Sequence, residues 1–198
     1  MRLKEFLREL RHHVPFTLFA TLGAILLTII LVYYLQQEIP KNLFELIHVL
    51  HIIVSSIVTA GIYYRYNQKI ILSLIVGIFG AIIIGSLSDI FFPWLGGTVL
   101  GLHIHFHLPL IEMPVVVLGA TLAGSVIGIK TNFTKIPHFV HVFLSVFASL
   151  FYLLTFSVSL ELSYFTSAFL IVFISVIIPC CVSDILFPFL FIGKEKER

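Results

Sequence analysis

Six apolar stretches, at about 14–35, 43–64, 70–95, 109–129, 138–158 and 164–190, fill most of this 198-residue chain. Each is close to the ~20 residues that cross a bilayer as an α-helix. A helix satisfies its own backbone hydrogen bonds where lipid offers no partner, so the pattern predicts helices. Short polar breaks at 36–42, 65–69, 130–137 and 159–163 read as turns, whereas the break at 96–108 is rich in histidine and opens with Gly96-Gly97. Only 11% of the residues are charged and 59% are hydrophobic. Soluble domains carry roughly a quarter of their residues as charges, and disordered chains carry more charge and less apolar mass. A soluble enzyme and a disordered chain are both excluded. The expectation is an all-α integral membrane protein with six transmembrane helices in a single membrane domain. The adjacent Cys180 and Cys181 form no disulfide framework and read as small packing residues.

Charge placement gives a topology. With the N-terminus in the cytoplasm, the inner segments hold Arg2, Lys4, Arg8, Arg11, Arg65, Lys69, Lys130, Lys135, Lys194, Lys196 and Arg198, and the outer segments hold only Lys41. Such a bias is the positive-inside signature, so both termini are expected in the cytoplasm and the chain in the cell membrane as a multi-pass protein. Residues 1–12 read as a basic amphipathic lead-in and 193–198 as a charged cytoplasmic tail. The first apolar run is too long for the core of a cleavable signal peptide. The lipid bilayer is the expected partner; a homodimer is compatible with so small a domain, and no nucleic acid is expected.

The two halves of the chain repeat. His13-Val14-Pro15 opens the first span as His107-Leu108-Pro109 opens the fourth. His48-x-x-His51 begins the second as His138-x-x-His141 begins the fifth, and Ser88-Asp89-Ile90-Phe91-Phe92-Pro93 ends the third as Ser183-Asp184-Ile185-Leu186-Phe187-Pro188 ends the sixth. The offsets are 94, 90 and 95 residues, and Asp89 and Asp184 are the only aspartates in the chain. Repeat one covers about 13–95 and repeat two about 107–190. Three spans per half is an odd number, so the second half enters from the opposite face and the repeat is inverted. Many transporters share that architecture, though the link from symmetry to transport is one of analogy.

Depth along the spans, at ~1.5 Å per residue, sorts the polar groups into two sets. His48, His51, Asp89 and His107 are expected near the outer face, and His13, His138, His141 and Asp184 near the inner face. Histidines three apart share one helix face, so both imidazoles can turn to one centre. Imidazole suits zinc, iron and neighbouring transition metals, and Asp adds an anionic oxygen. Pro93 and Pro188 stand four residues after Asp89 and Asp184, so each proline leaves an aspartate carbonyl without its helical partner. Glu45 and Glu112 are further ligands for the outer set, and His103 and His105, alternating with His107, read as an external metal-collecting loop. A His/Asp network could instead only hold helices together, but an ionisable group in a span costs about 2.5–3.5 kcal/mol on insertion scales and marks function by default. The leading expectation is a transporter or channel for a divalent transition-metal cation, zinc or iron. An intramembrane metal-dependent enzyme, hydrolase or iron oxygenase, is the alternative, and no phosphate loop, dinucleotide fingerprint, HExxH or serine elbow points elsewhere.

Overall fold

The computed structural model describes residues 3–35, 38–131, 135–156, 162–179, 187 and 191, without the side chains of 3–13, Tyr33, 135–139 and 162–163. Every regular element among them is helical. They are α1 (Leu3–Ile29), continued by a π-helical turn at Ile30–Tyr34, then α2 (Lys41–Asn67) and α3 (Ile70–Ser86). A second π turn, Leu87–Phe91, joins α3 to α4 (Phe92–Val99), followed by α5 (Pro109–Glu112), α6 (Pro114–Thr131), α7 (Lys135–Phe156) and α8 (Leu162–Ile177). The basic lead-in and the first span thus share one helix, which runs through Pro15.

Four stretches are long and apolar enough to cross a membrane: Val14–Val32, Lys41–Asn67, Ile70–Val99 and Pro114–Thr131. The apolar helices Val140–Phe156 and Tyr164–Ile177, where spans five and six were expected, are shorter within the described residues. The fourth span starts at Pro114 rather than near 109, for a local reason. Proline disfavours helical geometry in the residue before it, and Met113 sits at φ −134°, ψ 56°, breaking α5 from α6. Between α2 and α3, Gln68 takes the left-handed conformation at φ 52° and donates its N–H to the Tyr64 carbonyl, closing α2 where the polar break was expected.

Polarity is distributed inside out relative to a soluble domain. Phe19, Ile71 and Val115 are at least 71% exposed, while His48, His51, Asp89, His141, Ser145 and Ser149 are buried. An outer surface this apolar suits contact with lipid. Helix α2 is the hub, packed against α3, α6 and α7, and α1, α7 and α8 form a second group around Val146, Leu150, Leu153, Ala168 and Val172. Small residues set the closest approaches. A Cβ added to Gly124 or Gly128 of α6 would lie 2.4 or 2.2 Å from the carbonyl oxygens of Ile53 and Ile57 on α2. This is the small-xxx-small contact that lets membrane helices touch backbone to backbone.

Candidate metal centre

The centre begins with a proline. Pro93 has no N–H to continue the α-helical ladder, and just before it the Phe92 N–H reaches back to the Leu87 carbonyl, five residues away. That register shift makes the π turn, a feature often found at functional sites. It also releases the Ser88 carbonyl, which in an α-helix would bind the Phe92 N–H. The Ser149 hydroxyl of α7 lies 2.9 Å from that released oxygen, so the irregular turn is held from across the bundle.

Asp89, fully buried, lies in this turn. Its Oδ2 accepts from His48 Nδ1 at 2.8 Å and His51 Nδ1 at 2.6 Å, both on one face of α2. Its Oδ1 accepts from the Ser88 hydroxyl at 2.7 Å and from Ser145 of α7 at 2.9 Å. Three segments therefore converge on one carboxylate. Because both Nδ1 atoms face the same acceptor, each neutral ring carries its proton there and its lone pair on Nε2. A carboxylate that orients imidazoles in this way is the usual support of a metal-binding histidine. Alternatively, an ion taking the place of the shared protons would find two Nδ1 atoms and Oδ2 as direct ligands, since one ligand atom from each residue lies within 4.8 Å of the others.

Charge favours a cation here. When both imidazoles are neutral the aspartate's negative charge is uncompensated, for among the described residues no lysine or arginine pairs with Asp89. A buried, unbalanced charge is expensive in a low-dielectric interior, so a proton or metal cation is stabilised at this point. His141 of α7 lies beside it, with its ring centroid 4.6 Å from that of His51.

A second group sits nearer the start of α2. Glu45, His107 and Glu112 also bring three ligand atoms within 4.8 Å of one another. His107 Nδ1 bonds Glu112 Oε1, and its Nε2 lies 3.4 Å from Glu45 Oε1. Lys41 Nζ is 2.7 Å from Glu112 Oε2 and 3.5 Å from Glu45 Oε1. The hydrogen bond from Lys41 holds the Glu112 carboxyl below its ordinary value, against a smaller opposing effect of desolvation. Phe44 stands between the two groups, with ring centroids 5.8 Å from His48 and 5.9 Å from His107.

The expected outer set is thus divided. His48, His51 and Asp89 meet, while His107 belongs with Glu45 and Glu112. His141, assigned by depth to the inner set, has its ring beside that of His51, and the other members of that set fall outside the described side chains. His103 and His105 lie exposed on the extended segment before His107 and join neither group among the described residues. The side chains of His13 and His138 fall outside the described residues, as do Asp184, Cys180 and Cys181. Sequence reasoning gave Lys41, Ser88, Ser145 and Ser149 no role in either site. A signal existed for Ser145: a serine follows the second histidine of each H-x-x-H by four residues, at Ser55 and Ser145.

Replacing the proline tests the local argument. Pro93→Ala returns an N–H for the Asp89 carbonyl, lets the π turn relax to α-helix and rotates Asp89 away from α2. Zinc titration of the purified variant is expected to show affinity reduced by about tenfold, the lower end for loss of an orienting partner. Unchanged affinity would separate the π turn from metal binding.

Comparisons with protein-family models, with curated proteins and with solved structures find no match, so the meaning of this centre rests on its geometry.

Proposed function

We propose that this chain is a multi-pass transporter or channel of the cell membrane that carries a divalent transition-metal cation, zinc or iron, using two pseudo-symmetric His/Asp clusters. The observation that carries the reading is the buried Asp89 with His48 and His51 on one carboxylate oxygen, set in a π turn of a membrane-length helix. Contact between His51 and His141 supports the inverted repeat, because equivalent residues touch only beside the axis that relates them. The packing supports it too. Exchanging α1 with α6, α2 with α7, and α3 with α8 turns the contacts α2–α6, α2–α3 and α3–α6 into α7–α1, α7–α8 and α8–α1, all of which occur. Contact α2–α7 maps onto itself.

In this reading Asp184, His138 and His13 form the inner counterpart, and the cargo passes between centres that adjoin at His51 and His141. Histidine ligands bind metal only when unprotonated, which offers a route for proton coupling. The test is zinc or iron uptake into sealed proteoliposomes. Uptake is expected with the unaltered protein and is expected to fall to background in His51→Ala. A protein that binds metal but moves none would overturn the transport reading and favour the intramembrane enzyme.

A further inference from the structure

We propose that Lys41 is a tethered stand-in for the cargo ion at the group of Glu45, His107 and Glu112, so that a divalent cation entering there must displace its ammonium. The inference rests on the reading that these residues handle metal, and it adds how access to them is controlled.

Lys41 is in an unfavourable place unless its partners hold it. It is the first residue of α2, where the helix dipole repels a cation. It is also the only lysine or arginine outside the expected inner segments. What offsets both effects is the pair of carboxylates at 2.7 and 3.5 Å. One ammonium against two carboxylates leaves one negative charge uncompensated, whereas a divalent ion would leave none.

The remaining ligand is already in position. His107 is 5% exposed, and its Nε2 is buried without a hydrogen-bond partner while facing Glu45. Its ring stacks on Phe156 at 4.7 Å and meets Phe44 edge-on, so it is held in place. The Lys41 side chain, like that of Glu112, is 47% exposed, and its flexible stem can swing into water. The best-held members, His107 and the 16%-exposed Glu45, suit a metal, and the ammonium that mimics one is carried on an exposed stem.

The test uses full-length protein in detergent, in a background of Asp89→Asn and Asp184→Asn so that Glu45, His107 and Glu112 are read without either His/Asp centre, with cobalt(II) as the probe. Replacing Lys41 by Gln is expected to tighten cobalt binding by about fivefold, in keeping with a partly screened surface ion pair. Lys41→Arg is expected to stay near the parent affinity, and adding His107→Ala to Lys41→Gln is expected to remove the gain. Affinity that is unchanged or weaker in Lys41→Gln, a gain that survives His107→Ala, or no cobalt binding in either protein overturns the proposal. Proteoliposome uptake keeps the two readings apart. Tighter binding without uptake in any variant leaves the Lys41 inference standing and removes transport, whereas normal uptake with unchanged binding does the reverse.

Discussion

Asp89→Asn is expected to remove the stabilisation that zinc or iron confers through the centre of His48, His51 and Asp89 while leaving the metal-free fold intact. The substitution is isosteric, and its hydrogen bonds can be redrawn. The amide oxygen can accept from His48 and His51, and the amide nitrogen can donate to the Ser88 and Ser145 hydroxyls, which accept as readily as they donate. Ser88 can then turn its proton to the Gly85 carbonyl, 3.3 Å away. What the variant loses is the negative charge, and with it the reason for a cation to enter. Removing an unbalanced buried charge is neutral or favourable for folding, so the metal-free melting temperature should stay the same or rise. A ligand present at a hundred times its Kd stabilises by about 2.7 kcal/mol, and the part of the metal-dependent shift owed to this centre should disappear. A variant that melts well below the parent without metal would mean that Asp89 serves to hold the helices together.

The second large effect is expected at Gly128, which belongs to neither candidate site. A Cβ there would sit 2.2 Å from the Ile57 carbonyl oxygen and 2.9 Å from its carbon, both backbone atoms that no rotamer change can move. Gly128→Val must push α6 away from α2, the helix that carries His48 and His51. We expect a loss of about 3 kcal/mol, at the upper end of the usual range for overpacking. Weaker metal binding should accompany it. Gly119 of the same helix is the control, because an added Cβ there meets nothing within 4 Å. Gly119→Ala should be neutral or stabilise by about 0.5–1 kcal/mol through helix propensity. Chemical denaturation in mixed micelles reads both variants. Equal stability for the two would contradict the close α2–α6 contact.

These two residues show what a sequence of this kind discloses. Asp89 could be singled out because an aspartate inside an apolar stretch is costly, and because its counterpart recurs 95 residues later. Histidines at i and i+3 had to share a face, so His48 and His51 meeting one carboxylate follows from helical geometry. Depth alone, however, gives height along the bundle and not direction around each helix. His107 therefore seemed a neighbour of His48 by level, whereas Phe44 stands between their groups. His141 shows the same limit, since its predicted height said nothing of the crossing that brings α7 against α2. Hydroxyl partners were the least legible. Serine is common in membrane helices, and only the π turn that exposes the Ser88 carbonyl explains why Ser149 faces it. Lys41 read as a stray outer charge, because its meaning depends on Glu112, which follows it by 71 residues.

The most direct measurement of the central claim is element-specific anomalous scattering from crystals of the protein grown with zinc or iron. The account predicts a peak within coordination distance of His48, His51 and Asp89, absent in Asp89→Asn. Metal-loaded crystals with no peak at that centre, or with metal only on the surface, would contradict it.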